Sequence, residues 1–350
     1  MLTKIEILNF KSLESETLSL KPLTIFTGAN SSGKSSVLQA IMLVIKQSQE
    51  SNRYSMEELL RYLNDFHAIR NKKTNAKAIK ISVTDSQNTV NELTIFVDGF
   101  IRKSDLSYIY EPSEEISSQP EFLYLNANRI GAQEVTPLSD RRIGILGEYL
   151  FSTFEKIKIK PVEEQLLKFP GSKTLSYQVA EWLSYITGTT SELVTEKISD
   201  QLKISFKIRE IEGFVSPFNL GAGMSYISKV IIICLMAKKG DLIIIENPEV
   251  QLHPKAQSYL GEFLCFIAAN GIQLIVETHC EHLLNKVTYQ VYKDSIQNED
   301  VIIHYKPDVN SKFLNLLLNE DGEYVDCNNN TIAFPKGFFD ATLSELLEMR

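Results

Sequence analysis

The chain has 350 residues, of which 43% are hydrophobic and 23% charged, and such a chain can bury one large core or two smaller ones. Its formal net charge of −8 argues against a surface that coats nucleic acid uniformly, although it leaves room for a local basic stripe. No apolar run approaches the ~18 residues that span a bilayer, and the strand-like start lacks a signal-peptide core, so we expect a cytoplasmic protein without a membrane partner.

The first predicted elements are a β-hairpin and a complete phosphate-binding loop. Residues 1–27 alternate apolar and polar side chains, with a turn at 11–16, and residues 28–35 read GANSSGKS. In such a loop the glycines let backbone N–H groups face a triphosphate, Lys34 supplies a positive charge and the Ser35 hydroxyl binds Mg²⁺. The sequence therefore predicts binding of ATP or GTP; the alternative is a chance match in a turn. The predicted contacts in the loop are Asn30, Ser31, Ser32, Gly33, Lys34, Ser35 and Ser36.

From residue 35 onwards, the apolar periodicity predicts a mixture of helices and strands. The predicted helices cover residues 35–49, 55–63, 147–154 and 177–186, and the predicted strands cover 78–83, 93–97, 123–125 and 203–209. No sustained heptad pattern occurs between residues 112 and 212, so we expect a compact lobe there rather than coiled-coil arms. This lobe either binds a partner protein or completes the core.

Basic residues in this middle region have two interpretations. One cluster consists of Arg70, Lys72, Lys73, Lys77 and Lys80, and another consists of Lys156, Lys158, Lys160 and Lys168. Each cluster is either a solvated face or a sequence-blind contact to phosphates. Arg129, which follows a predicted strand, either forms a structural ion pair or contacts a phosphate.

The last third of the chain carries three further motifs of a nucleotide site. At residues 220–226, glycines and Ser225 precede a long apolar helix, an arrangement that exposes N–H donors to an anion. At residues 241–246, an apolar strand ends in Glu246, as in a Walker B strand that holds nucleotide-bound Mg²⁺. A second apolar strand, at 272–277, leads to His279, which is either a structural residue or a functional one at the same sheet edge.

Together these motifs resemble the ABC-type ATPase heads of the SMC-like and OLD-like (overcoming lysogenization defect) AAA ATPases. The matching segments are residues 5–13, 28–35, 220–226, 245–257 and 277–279, and the tail at 322–340 looks like the C-terminal module of a stand-alone branch without a TOPRIM domain. The resemblance implies an α/β fold with an ABC-ATPase-like P-loop core, an antiparallel β subdomain and a helical insertion. Residues 1–111 and 213–306 would form the split core, 112–212 the inserted lobe and 307–350 the C-terminal module.

The resemblance also implies how the site is assembled. In ATPases of this type the signature serine of one head completes the nucleotide site of another, so we expect a homodimer or higher oligomer with ATP sandwiched between heads. Gly223 and Ser225 would then contact nucleotide, Ser35 and Glu246 would hold Mg²⁺, and His279 would sense the γ-phosphate.

The chain departs from the commonest family pattern after the Walker B acid, where it has Asn247. Asparagine can orient a water molecule but cannot take its proton. Either Glu249 is the general base, or hydrolysis is slow and the protein acts as an ATP-gated clamp. A third interpretation is that Glu249 only caps the helix that follows.

Three functions are compatible with these motifs. The leading one is the ATPase sensor or regulatory subunit of a bacterial anti-phage defence complex that works with a separate nuclease effector, because neither a TOPRIM nor an HNH nuclease pattern is visible. The second is a self-contained DNA-binding clamp or repair ATPase. The third, the ATPase of a membrane pump, ranks last because no coupling feature is visible.

Overall fold

The structure, a computed structural model, describes residues 1–48, 56–104, 106, 108–111, 119–335 and 338–339. Parts of four predicted segments lie outside these ranges: the end of the helix at 35–49, the start of the helix at 55–63, the first seven residues of the lobe at 112–212, and residues 336, 337 and 340–350 of the C-terminal module.

The described part contains the following strands and α-helices. In chain order the strands are β1 (Leu2–Phe10), β2 (Leu13–Ser19), β3 (Leu23–Gly28), β4 (Ile79–Asp85), β5 (Val90–Phe96), β6 (Gly99–Lys103), β7 (Ile109–Tyr110), β8 (Glu121–Leu125), β9 (Val135–Pro137), β10 (Ser191–Ile198), β11 (Gln201–Ile208), β12 (Phe214–Val215), β13 (Leu242–Glu246), β14 (Gln273–Glu277), β15 (Val301–Lys306), β16 (Leu314–Leu318) and β17 (Tyr324–Val325). The α-helices are α1 (Lys34–Ser48), α2 (Phe66–Ile69), α3 (Leu150–Ile157), α4 (Leu175–Thr187), α5 (Gly223–Leu235), α6 (Pro254–Ala269) and α7 (Glu281–Tyr292).

A mixed eight-stranded sheet has the order β17-β16-β15-β3-β14-β13-β8-β7. Its strands from β15 to β7 pair in parallel, whereas β16 and β17 pair antiparallel. The strands β13 and β14 are almost continuously apolar because a parallel strand in mid-sheet is covered on both faces. Strand β3 lies between β14 and β15, and β13 lies beyond β14, so the carboxyl ends of these strands meet at one edge.

Two hydrophobic cores cover the two faces of this sheet. On one face, Leu242 and Ile244 of β13 pack in a core shared with α1 and the antiparallel sheet β2-β1-β4-β5-β6. On the other face, Ile243 and Ile245 pack in a core shared with helices α3 to α7. Successive residues of one strand thus anchor both layers, as the period of two in a β-strand requires.

The third sheet, in which β9, β10 and β12 surround β11, lies with α3 and α4 in the region predicted as an inserted lobe. Trp182 of α4 is fully buried, and its ring lies edge-on to Phe263 of α6 with the centroids 4.8 Å apart. The inserted region therefore helps to complete the core. Strand β8, also within 112–212, belongs to the eight-stranded sheet, and the proposed domain boundaries stay a prediction.

The predicted α/β class, with its antiparallel sheet and helical insertion, is confirmed. The helix predicted over residues 55–63 is wrong: from residue 56 the chain forms consecutive turns and a 3₁₀ turn at Arg61–Leu63. Leu59, Leu60 and Leu63 are buried, so turns satisfy the apolar spacing that predicts a helix. The hairpin is confirmed for β1 and β2, although its turn is shorter than predicted and residues 23–28 join the central sheet instead.

Candidate nucleotide-binding site

The phosphate-binding loop joins β3 to the N-terminus of α1. Gly28 and Gly33 have φ values of +123° and +112°, which L-residues rarely adopt. A Cβ on Gly28 would lie 2.2 Å from the Lys306 carbonyl oxygen, so only glycine lets the loop pack against β15. Helix α1 has no acidic residue in its first turn, and its N-terminal N–H groups and dipole therefore favour an anion.

Lys34 lies over this loop. Its side chain is buried, with 3% of the residue exposed, and its Nζ donates hydrogen bonds to the carbonyl oxygens of Gly28 at 3.2 Å and Ala29 at 2.6 Å. Burial lowers the pKa of Lys34, while the negative charge of Glu277 raises it. Lys34 forms no ion pair with any residue that the structure describes, which leaves its charge available to phosphates.

The other predicted loop contacts differ in exposure. Asn30 and Ser31 are exposed, Gly33 and Ser35 are half-buried, and Ser32 and Ser36 are buried. The Ser32 hydroxyl is enclosed and has no hydrogen-bond partner among the described residues. An orphaned buried hydroxyl in a phosphate loop fits a site that gains a polar partner when nucleotide binds.

Two carboxylates end neighbouring strands at the edge beside this loop. Glu246 of β13 and Glu277 of β14 are paired in parallel register. The carboxylate of Glu246 accepts hydrogen bonds from the Tyr124 hydroxyl at 2.9 Å and the Ala127 N–H at 3.2 Å. The Ser35 hydroxyl donates to Glu277 Oε1 at 3.0 Å.

Sequence reasoning assigned no role to Glu277. The available signal was that, like Glu246, it ends an apolar strand; the register that sets the two side by side appears only in the folded sheet. The assignment of Ser35 and Glu246 to Mg²⁺ stays a prediction. No group of three His, Cys, Asp or Glu side chains in the described ranges could hold a metal ion, so phosphates and water would have to complete the coordination.

Glu249 and His279 lie close to each other beyond the strand ends. Glu249 is 8% exposed; its Oε1 accepts the His279 backbone N–H at 3.2 Å, and its Oε2 has no partner among the described residues. Burial raises the pKa of Glu249. The His279 side chain reaches the surface beside the loop, where partial burial and then the charge of Lys34 lower its pKa.

The interpretation of Glu249 as a helix cap is wrong. Helix α6 begins at Pro254, and its N-cap is His253, whose ring accepts the Lys255 N–H at 3.3 Å. Glu249 binds the His279 N–H instead, before α7, and its position remains compatible with a general base.

Asn247 and Arg129 fix the backbone at the end of β13. Asn247 has a φ of +44°, and its N–H donates to the Glu277 carbonyl at 2.7 Å. Arg129 is 2% exposed and donates to the carbonyl oxygens of Glu246 at 2.9 Å and Asn247 at 2.8 Å. The predicted ion pair of Arg129 is not found among the described residues: its two terminal nitrogens donate to backbone carbonyls, and its Nε has no partner there. A contact of Arg129 with phosphate stays a prediction. Burial lowers the pKa of Arg129 to about 10.

The signature residues lie at the start of α5. A Cβ on Gly223 would lie 2.4 Å from the Gln251 carbonyl oxygen, so this glycine permits close packing against the loop after β13. Ser225 is 1% exposed, and its hydroxyl has no partner among the described residues. The single chain thus brings the P-loop, Glu246, Glu249 and His279 to one sheet edge, but it does not present Ser225 at its surface.

Three residues of the first basic cluster, Arg70, Lys72 and Lys73, line a cavity of about 590 Å³ that adjoins the P-loop. Its cationic lining residues are Lys11, Arg70, Lys72, Lys73, Lys306 and Lys312. Two acids also line it, and one of them, Glu16, is paired with Lys306 at 2.7 Å. In the second cluster, Lys156 pairs with Asp140 and Lys158 pairs with Glu155. Part of the first cluster therefore combines excess positive charge with a concave surface.

Residues 23–285 match the family described as "AAA domain, putative AbiEii toxin, Type IV TA system". The chain is 25% identical over 386 residues to an OLD nuclease of Thermus scotoductus, covering 96% of this chain and 70% of that protein. It is 24% identical over 361 residues to the Old nuclease of Escherichia phage P2, covering 84% of this chain and 59% of that protein. The chain therefore spans less than two thirds of the phage relative.

Two solved structures have a similar fold. An Smc head bound to the C-terminal winged-helix domain of ScpA is 15% identical with a TM-score of 0.57, over 91% of this chain and 98% of that one. An Smc head with an extended coiled coil, bound to the C-terminal domain of ScpA from Pyrococcus furiosus, is 14% identical with a TM-score of 0.56, over 100% and 99%. Within the described ranges, no helix has both the length and the apolar character to cross a membrane.

Proposed function

Because the chain belongs to the AAA-domain family described as putative AbiEii toxin, Type IV TA system, and has the fold of an SMC head, we propose that it is an ATP-binding and hydrolysing switch protein. The observation that carries the proposal is the convergence of a complete P-loop with Glu246, Glu249 and Glu277 at one sheet edge.

The residues at this sheet edge have different roles in ATP binding and hydrolysis. Lys34 and the N–H groups at the start of α1 bind the β- and γ-phosphates. The buried Glu249 accepts the proton of the attacking water, and its raised pKa brings a carboxylate closer to the pH at which a general base works best. Asn247 orients that water and His279 contacts the γ-phosphate.

Mg²⁺ fits the donors that are present. Ser35, Glu246 and Glu277 offer a hydroxyl and two carboxylates, and Glu277 Oε2 is buried without a partner among the described residues. Oxygen donors of this kind are the ones Mg²⁺ prefers, and the ion usually takes one or two carboxylates together with substrate phosphates. When bound, the ion would neutralise charge that develops on the phosphates.

The first test is Lys34→Ala, which removes the buried ammonium from the loop. We expect loss of tight ATP binding, measured by calorimetry with Mg²⁺, because the phosphates lose their only charged partner in the loop. Lys46→Ala, at the other end of α1, is the matched control and should bind as the parent does. Equal affinity of Lys34→Ala and the parent for ATP would contradict the assignment of the nucleotide site.

We extend the proposal to the biological role. The relatives at 25% and 24% identity are nucleases, and this similarity supports a sensor or regulatory subunit that works with a nuclease in anti-phage defence. Head-to-tail pairing of two chains around ATP would be the switch, with Gly223 and Ser225 completing the partner's site. ATP turnover that rises only with a co-expressed neighbouring gene product would support this role.

The basic cavity favours the second candidate, a self-contained DNA-binding clamp. Lys72, Lys73 and Lys312 form no ion pair with described residues, so positive charge remains at its rim although the whole chain carries −8. Such charge attracts phosphates without regard to sequence. DNA-stimulated ATPase by the purified chain that is lost in Lys72→Glu/Lys73→Glu, but kept in Lys156→Glu, would support the clamp and count against the regulatory role.

A further inference from the structure

The carboxylate in contact with the P-loop serine is Glu277, and not the predicted Walker B acid Glu246. The Ser35 hydroxyl donates to Glu277 Oε1 at 3.0 Å, whereas no hydrogen bond joins Ser35 to Glu246 among the described contacts. A hydroxyl whose hydrogen points to a carboxylate turns its lone pairs elsewhere, and those lone pairs are what a metal ion binds.

The second oxygen of Glu277 needs a partner. Glu277 is 6% exposed, and its Oε2 is buried without a hydrogen bond to any described residue. An unpaired carboxylate oxygen in such a position is costly, so sites of this kind usually gain an ion, a water molecule or a ligand. Lys34 is the nearby positive charge, but its Nζ is directed to the loop carbonyls.

Glu277 and Glu246 occupy equivalent positions at the ends of neighbouring strands. The two residues are register partners at the ends of β14 and β13, so their side chains leave the sheet on the same face. Glu246 already accepts donors from Tyr124 and Ala127. Of the two carboxylates, Glu277 is thus the one in contact with the P-loop.

We propose that Glu277 is a second carboxylate of the Mg²⁺ site, orienting the Ser35 hydroxyl through Oε1 and facing the ion or its water shell with Oε2. This inference rests on the proposed function, because it concerns the metal that accompanies the nucleotide. Mg²⁺ is bound through few protein carboxylates plus phosphates and water, and the groups that orient its direct ligands typically control its affinity by 10- to 100-fold.

The test measures metal binding directly. Mn²⁺ is titrated into the protein with a non-hydrolysable ATP analogue and followed by electron paramagnetic resonance, while binding of the same analogue is measured separately in EDTA. We expect Glu277→Gln to weaken Mn²⁺ binding about 10- to 100-fold and to leave binding in EDTA unchanged. The melting temperature without ligands should not fall, because the glutamine oxygen can still accept the Ser35 hydroxyl while a buried charge is removed.

Two further variants sharpen the result. Glu281→Gln, an exposed acid at the start of α7, is the matched control and should retain the parental Mn²⁺ affinity. The double variant Ser35→Ala/Glu277→Gln should lose less affinity than the two single losses combined, because both act on one hydrogen-bonded pair.

The outcomes separate the two proposals. Parental Mn²⁺ affinity in Glu277→Gln, or an equal loss of analogue binding in EDTA together with a lower melting temperature, would overturn the metal role. Failure of the parent protein itself to bind the analogue would overturn the proposed function instead.

Discussion

Asn247 shows how one backbone angle constrains the chemistry of the site. Its φ of +44° lies in the left-handed region, where asparagine is among the few tolerated residues. Hydrogen bonds from its N–H to Glu277 and from Arg129 to its carbonyl hold this conformation. Glutamate is unfavourable in this conformation, so a general base at position 247 is disfavoured, which agrees with the prediction that Glu249 has this role.

We therefore predict that Glu249→Gln binds ATP but hydrolyses it about 10²- to 10⁴-fold more slowly, because a buried base is lost while its shape is kept. Single-turnover assays would measure the rate. In the parent, the rate should rise with pH through a pKa above the usual carboxylate range, since burial raises the pKa of Glu249. A variant that turns over near the parental rate would leave Asn247 and His279 as the water-positioning groups.

Lys229 on α5 predicts a pH dependence of stability. It is fully buried, its Nζ donates to the Ile130 carbonyl at 2.7 Å, and burial lowers its pKa from 10.5 to about 7. Glu148 opposes this shift and Arg129 adds to it. Between pH 7 and 10.5 the unfolded chain holds the extra proton, so this residue makes the free energy of unfolding rise with pH.

Lys229→Met cannot titrate and should lose that contribution. The free energy of unfolding would be measured by urea denaturation at pH 7, 8 and 9. The difference between the parent and the variant should increase in favour of the parent by up to about 1.4 kcal/mol per pH unit. Lys46→Met, at a partly buried lysine of α1, serves as the control variant. Parallel pH profiles of Lys229→Met and the parent would contradict the assignment.

At the scale of elements, two packing contacts connect the end of β13 and the loop after it with the start of α5. Gly223 packs against the Gln251 carbonyl, and the Arg129 guanidinium, which holds the carbonyls of β13, lies 5.1 Å from the centre of the Tyr226 ring. The segment that carries Arg129 follows β8, the neighbour of β13. The loop after β13 and the start of α5 are thus linked through that segment.

Arg129→Met is expected to break this link. It removes the guanidinium donor from the Glu246 carbonyl and one of the two donors from the carbonyls of Asn126 and Asn247. An unsatisfied buried group costs roughly 1–3 kcal/mol, so the melting temperature should fall. ATP turnover should fall more than ATP binding, because Lys34 and its loop are untouched. The exposed Arg209→Met is the control; comparable stability of the two variants would disprove a structural role of Arg129.

Sequence patterns revealed some of these elements better than others. The parallel strands β13 and β14 were predictable because a fully buried strand is uniformly apolar and ends abruptly in a carboxylate. The turns at 56–63 were not, since the spacing of Leu59, Leu60 and Leu63 fits a helix equally well. Glu277 was overlooked because its contact with Ser35 joins residues 242 positions apart.

At the scale of the whole molecule, the buried signature serine bears on assembly. Ser225 is 1% exposed, so the start of α5 must open before a second head can use its hydroxyl. We predict that Ser225→Ala binds ATP normally but weakens ATP-dependent pairing about tenfold or more, through loss of one hydrogen bond to a charged phosphate. Light scattering with and without ATP would measure the pairing.

The matched control for this variant is Ser228→Ala, one turn further along α5. Its hydroxyl is also buried but donates to the Met224 carbonyl of its own helix, so pairing should be unchanged. Equal pairing by Ser225→Ala and the parent would argue against an ATP sandwich built on this serine.

The position of β3 between β14 and β15 has a consequence for synthesis on the ribosome. The strand that carries the P-loop is complete by residue 28, yet both of its hydrogen-bonded neighbours lie between residues 273 and 306, and Gly28 packs on Lys306 itself. At a translation rate of ~5–20 residues per second, strands β14 and β15 are synthesised on the order of tens of seconds after the loop. A nascent chain that ends before residue 273 should therefore be unable to capture ATP, and the nucleotide cannot guide the early steps of folding.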